Sequence, residues 1–234
     1  MLKRLVDGEV HLWHATAAKV RSCDAKALRF LSPDEVKRAA DFVFAKDREL
    51  FLLGRVLLRT ALSTYVAVPA NEWRFIMDEH GKPEVDRPES ERSLRFNLSH
   101  TDGFLACAVT WLRPVGVDVE SMHREVDWEP IAKRFAPEEY QQIVAKPPDQ
   151  QRETFFALWT LKEAYSKACG RGLTVGLDAS RFVLAERGGV KVADVGPTDS
   201  EWSFFCPSLS PNHRAAVAVE HSRGSQVRLV VREM

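Results

Sequence analysis

The chain runs through one series of structural elements twice. Ser32-Pro33-Asp34-Glu35 and Ala136-Pro137-Glu138-Glu139, whose prolines lie 104 residues apart in a chain of 234, each read as a helix start. Both have proline in the first turn and carboxylates at the positive end of the helix dipole. A strand precedes each start, Val10 to His14 in one half and Val115 to Glu120 in the other. A long amphipathic helix follows each, from about Asp47 to Tyr65 and from about Asp149 to Cys169, the second opening after Pro147-Pro148 and closing at Gly170 and Gly172. Hairpin signals come next, Arg74 to Val85 turning at His80-Gly81 and Arg181 to Val192 turning at Gly188-Gly189. Two strands around a polar turn end each half: Leu94 to Thr110 around Thr101-Asp102-Gly103, and Trp202 to Glu220 around Ser210-Pro211-Asn212. This order predicts an α/β (α+β) fold, a pseudo-dimer of two similar subdomains over residues 1–112 and 113–234 with a joint near Arg113-Pro114. Glu84 to Arg92 is polar enough to be a loose loop.

Such a chain is long enough to bury a full core. Lys plus Arg equals Asp plus Glu at 33 each, so no overall field recruits nucleic acid and anion binding must be local. Cys23, Cys107, Cys169 and Cys206 are dispersed without a C-x-x-C, which points to free thiols in a reducing cytoplasm rather than disulfides or zinc. The start, MLKRLVDGEVHLWHA, has an acid-interrupted stretch where a signal peptide needs an apolar core, and no run approaches the length of a membrane span. A soluble cytoplasmic protein is expected.

Chemistry concentrates in two segments. In Gly116-Val117-Asp118-Val119-Glu120 the valines point one way and Gly116, Asp118 and Glu120 the other, so two carboxylates share a strand face. In the helix from Phe156 to Lys167, Leu158, Leu161, Ala164, Tyr165 and Ala168 lie toward the face opposite Glu163, while Phe156, Trp159 and Lys167 flank it. Taken alone, a D-x-E strand and a Lys-Glu helix edge also describe solvated surfaces. If they converge, Asp118, Glu120 and Glu163 make a site for a hard cation.

Together with HGKP (His80 to Pro83) and FNLSH (Phe96 to His100), these segments make the chain resemble the 4′-phosphopantetheinyl transferases, in their Sfp-like branch. SPDEVKRAADFVFAKD, LLGRVLLR, HGKP, FNLSH, VGVDVE and WTLKEAYSKACGRGL follow in family order from Ser32 to Leu173. The resemblance implies a monomeric pseudo-dimer binding coenzyme A between its halves. It implies transfer of phosphopantetheine to a serine of an apo acyl or peptidyl carrier protein, of fatty-acid, polyketide or nonribosomal peptide synthesis, with release of 3′,5′-ADP. Mg2+, or Mn2+ in its place, is implied at Asp118, Glu120 and Glu163, with Glu163 also the general base and Lys167 a phosphate contact. His100 and Ser99 correspond to residues on the 3′-phosphate, Lys82 to one near the nucleotide with the Gly81 and Pro83 backbone close to adenine, and Arg38 to a basic phosphate contact. Glu35 departs from relatives that carry a lysine there, which leaves more to Arg38. Lys162 reads as a surface charge or a contact to a neighbouring phosphate, Trp159 as packing, Lys37, Lys46 and Arg48 as solvated charges, and Glu139 as an acid with no part in the site. Ser121 to Phe135 reads equally as a carrier-docking surface or a buried connector. Two other functions stay open: a catalytically silent coenzyme A or nucleotide-binding module, and another carboxylate-metal phosphotransferase or hydrolase. The full acidic set weighs against the first, and the absence of P-loop, H-E-x-x-H and kinase motifs against the second.

Overall fold

The structure is a computed structural model that describes residues 2–21, 28–91, 93–170, 177–178, 180–185, 189–195 and 200–234. Cys23, Arg92, Gly172, Leu173 and Gly188 lie outside the described residues. The first half contains β1 (Glu9–Thr16), α1 (Ala17–Arg21), α2 (Pro33–Ala40), α3 (Ala45–Ser63), the hairpin β2 (Arg74–Met77) and β3 (Pro83–Arg87), then β4 (Leu94–Thr101) and β5 (Phe104–Trp111). The second contains β6 (Val115–Ser121), α4 (Trp128–Ala132), α5 (Pro137–Val144), α6 (Pro148–Cys169), the hairpin β7 (Arg181–Leu184) and β8 (Val190–Asp194), then β9 (Glu201–Phe205), β10 (His213–His221) and β11 (Arg228–Glu233). One sheet has the order β11-β1-β5-β4 and the other β6-β10-β9. In both, the last strand of the repeat inserts between the first strand and the one before it, so the repeat read in the sequence is a repeat of topology. β11 runs parallel to β1, so a strand from beyond the 112/113 joint completes the sheet of the first half.

Side-chain alternation stacks these parts as helix, sheet, sheet, helix. Val10, Leu12, Phe104, Ala106 and Ala108 of one sheet and Val115, Val117, Val119, Ala215, Val217 and Val219 of the other form a core between the sheets. On the outer face of the first sheet, Leu105, Cys107 and Val109 pack with Leu53, Val56 and Leu57 of α3. On that of the second, Ala216 and Ala218 pack with Leu158, Leu161 and Ala164 of α6. β5 and β6 are therefore covered on both faces, which explains why FLACAVTW and VGVDVES are so poor in exposed residues.

The two helix starts have a common anchor. Ser32 Oγ accepts from Glu35 N and Glu35 Oε2 accepts from Ser32 N, a capping box, while Glu139 Oε2 accepts from Ala136 N. Each of these glutamates also pairs with a cation of the next long helix, Glu35 with Arg59 at 2.6 Å and Glu139 with Lys162 at 2.7 Å. One reading is corrected here: Lys162 is buried and not a surface or phosphate charge. Glu139, its partner, is buried outside the cleft, and Glu35 is the partner of Arg59. Buried charges persist only where they are paired and hydrogen-bonded, and Lys162 Nζ also donates to Ser180 O at 2.6 Å. Phe156 belongs to the core and does not flank Glu163. Glu84 to Glu91 is not a loose loop: β3 runs to Arg87 and a 3-10 turn spans Glu89–Glu91. Met122, Val126, Trp128 and Ile131 are partly buried against the second core and partly exposed, so the segment is neither fully buried nor fully free. Cys107, Cys169 and Cys206 are free thiols. Among the described residues no helix is long and apolar enough to cross a membrane.

Candidate active site

β4 and β6 are neighbours without being paired. Where a ladder would run, alternate side chains of β4 replace its backbone: Asn97 Oδ1, Ser99 Oγ and Thr101 Oγ1 accept from the N–H groups of Val117, Val119 and Ser121 at 2.9, 3.2 and 3.2 Å. The edge of β6 is thereby satisfied by polar side chains. This gives FNLSH a physical reason, since its asparagine and serine bind the acidic strand. Ser99 Oγ in turn donates to Asp118 Oδ1 at 2.9 Å.

Gly116 brings the helix in. A Cβ at this position would lie 2.0 Å from Ala164 O and 2.5 Å from Ala168 N, so only glycine lets α6 cross β6 this closely. The crossing sets Glu163 and Lys167 beside Asp118. Lys167 Nζ donates to Asp118 Oδ1 at 2.7 Å and to Ser99 Oγ at 3.1 Å. Asp118, Glu120, Glu163, Lys167, Ser99 and His100 line one cleft of about 470 Å³. Burial pushes the Glu163 carboxyl above the ordinary carboxylate range, and the charge of Asp118 adds to this while Lys167 opposes it. Burial likewise raises Glu120, again with a contribution from Asp118. Asp118 Oδ2 and Glu163 Oε1 are buried without a hydrogen-bond partner. Such unmatched oxygens fit a bound hard cation, although as the side chains lie no three His, Cys, Asp or Glu among the described residues stand close enough to form a closed metal cluster.

The remaining expected residues divide. His100 is exposed and lines the cleft. Arg38 is exposed on α2, its guanidinium 5.6 Å from the centre of the Phe51 ring. Lys82 does not line the cleft: its ammonium donates to Ala168 O at 3.0 Å and Val115 O at 3.2 Å, joining the first hairpin to the end of α6 and the start of β6. Gly81 sits in the hairpin turn at φ 80° and Pro83 opens β3. Four contributors were missed. Arg124 pairs with Glu120, and Trp159, read as packing, also donates from Nε1 to Glu120 Oε1 at 3.3 Å. Lys46 is solvated as read, and it also pairs with Asp102 at the rim of the cleft. Arg55 lines an adjoining pocket. Only for Arg124 is there a local signal, its place four residues after Glu120.

Comparison with known proteins matches both halves. Residues 12–111 match the family described as 4′-phosphopantetheinyl transferase, N-terminal, and residues 114–219 match the 4′-phosphopantetheinyl transferase superfamily. The chain is 38% identical over 216 residues to 4′-phosphopantetheinyl transferase HetI of Nostoc sp. strain PCC 7120, covering 92% of this chain and 89% of that protein. It is 31% identical over 196 residues to 4′-phosphopantetheinyl transferase Sfp of Bacillus subtilis, covering 83% and 84%. A solved holo-(acyl-carrier-protein) synthase from Bacillus anthracis aligns at TM-score 0.39 and 20% identity, over 47% of this chain and 96% of that one. With a family match in each half and relatives above 30% identity along most of its length, the chain belongs to the 4′-phosphopantetheinyl transferase superfamily.

Proposed function

We propose that this transferase moves the 4′-phosphopantetheine group of coenzyme A to a serine hydroxyl of an apo acyl or peptidyl carrier protein, releasing 3′,5′-ADP. The observation that carries the reading is the meeting of Asp118, Glu163 and Lys167 in one cleft, with Asp118 Oδ2 and Glu163 Oε1 buried and unbonded. Asp118, Glu120 and Glu163 are the residues that would hold Mg2+, or Mn2+, which supplies neutralisation of the pyrophosphate charge.

The protein's own groups divide the remaining work. Lys167 sets a positive charge beside the pyrophosphate oxygens, where charge builds as the bond to ADP breaks. Glu163 accepts the serine proton as the hydroxyl oxygen forms its bond to phosphorus. Ser99 holds both Lys167 and Asp118 in register. His100 faces the nucleotide end of the donor from the cleft wall, while Lys82 ties the first hairpin to α6 and β6. Residues 1–112 and 113–234 act as the two halves between which coenzyme A lies. The same reading makes the protein a cytoplasmic monomer with neither membrane nor nucleic acid as a partner.

Incubation with apo carrier proteins, coenzyme A and Mg2+, followed by mass spectrometry, tests this. One phosphopantetheine should appear on one serine, with one 3′,5′-ADP released for each. Binding of coenzyme A with no mass change across fatty-acid, polyketide and peptide carriers would favour a silent binding module. Coenzyme A cleavage without a carrier product would favour a hydrolase.

A further inference from the structure

The acids of the cleft are not held alike. Asp118 Oδ1 is fixed from two sides, by Lys167 Nζ of α6 and by Ser99 Oγ of β4. Glu120 Oε1 accepts from Trp159 Nε1 at 3.3 Å and from Arg124 Nη1. The two cations differ in setting: the Lys167 side chain is 29% exposed and bonds to two partners, whereas that of Arg124 is 52% exposed. Among the described residues the bond to Glu120 is the only one that the Arg124 side chain makes. The backbone beneath it is nonetheless fixed. Arg124 N donates to Ser121 O at 3.1 Å, and the Arg152 guanidinium of α6 donates to the carbonyl oxygens of Met122, Arg124 and Val126. A half-exposed guanidinium on a fixed stem, with one side-chain bond to lose, leaves its partner at little cost.

A divalent cation makes a rival claim on the same carboxylate. As the side chains lie, no three acids among the described residues stand close enough to close around an ion, so at least one must turn. Asp118 is anchored twice, and the acid tied by a movable partner is Glu120. Building on the cation reading above, we propose that Arg124 is a displaceable counter-ion of Glu120. It neutralises that carboxylate until the divalent cation arrives and then yields it, while Trp159 keeps its hold, and so it sets the Mg2+ concentration at which the enzyme is loaded. Two positive groups on one carboxylate repel each other, and an ion of charge two in contact with the oxygen outcompetes a guanidinium that water can receive.

Mn2+ binding to the whole protein, followed by loss of the free-ion EPR signal without coenzyme A or carrier, tests this. The forms compared are the wild type, Arg124→Met, Arg124→Lys, Glu120→Gln and the double variant Arg124→Met with Glu120→Gln. Arg124→Met should tighten Mn2+ binding by about three- to tenfold, and the Mg2+ concentration for half-maximal carrier modification should fall in step. A gain in affinity is a result that damage to the fold does not produce. Arg124→Lys, which keeps the charge, should stay nearer the wild type. Glu120→Gln should weaken Mn2+ binding, and in that background Arg124→Met should gain less than about twofold, because the contested carboxylate is gone. Unchanged or weaker binding in Arg124→Met, or an equal gain with and without the Glu120 carboxylate, would overturn the counter-ion role and leave the cation site standing. A Glu120→Gln variant that binds Mn2+ as the wild type does would overturn Glu120 as a ligand, and the counter-ion role with it.

Discussion

Glu163 faces two demands that pull its proton in opposite directions. Burial and the charge of Asp118 favour the protonated form, whereas Lys167, on the same face one turn along, favours the carboxylate. The group stands beside the residues that would receive the pyrophosphate. Glu163→Gln keeps the shape and removes both the charge and the proton acceptor. Its kcat for carrier modification should fall by about a hundred- to ten-thousandfold at saturating Mg2+, the range expected for loss of a general base. Coenzyme A binding, measured by calorimetry without carrier or Mg2+, should change far less, because Glu163 would reach the pyrophosphate only through the cation. Turnover near that of the wild type would remove Glu163 from the chemistry.

The acids would not meet without the element beneath them. α6 lies on β6 at Gly116 so closely that a methyl group would overlap the Ala164 carbonyl. Gly116→Ala must lift the helix, and Glu163 and Lys167 ride on the turns that flank the contact. Overpacking of this kind costs about 1–3 kcal/mol, so the variant should melt several degrees lower. The useful signature is a fall in kcat larger than that of a control of equal instability placed away from α6, such as Val56→Ala in the core under α3. Equal activity in the two variants at a temperature where both are folded would mean that the β6–α6 spacing does not position the catalytic groups. The acidic strand and the helix were legible because D-x-E and K-E-x-x-x-K stand out against apolar periodicity. Lys162 was misread because a buried ion pair, here with Glu139, has the local pattern of a solvated edge. Their separation in sequence hides the pairing until helix starts and long helices are superimposed, half on half.

At the scale of the whole molecule, the repeat could be read because every turn between its elements carries its own chemistry, as at Asp102-Gly103 and Pro211-Asn212. Two features joining the halves could not be read, since each depends on residues far apart in sequence: the side-chain ladder from β4 to β6, and the return of β11 to β1. A charged cluster holds that return. Arg228 pairs with Glu9 Oε1, Glu9 Oε2 lies 2.9 Å from His11 Nε2, and Arg232 Nε donates to His11 Nδ1 at 3.1 Å. The imidazole therefore accepts at Nδ1 and donates at Nε2, a neutral tautomer in keeping with the burial that lowers its pKa. Hydrogen bonds from Arg228 and then from His11 pull the Glu9 carboxyl down to about 2. A carboxylate depressed in the folded state contributes stability that is complete above its unfolded pKa, near ~4.3, and is lost as pH falls through the folded value. Glu9→Gln should accordingly lower stability by about 1 kcal/mol at pH 7, the upper end for a pair at the protein surface. The gap to wild type, followed by urea denaturation at descending pH, should begin to close below pH ~4.3 and go on narrowing toward the folded value. A gap that stays constant on acidification would mean that Glu9 holds the terminal strand by shape alone, and the charged clamp between β1 and β11 would have to be given up.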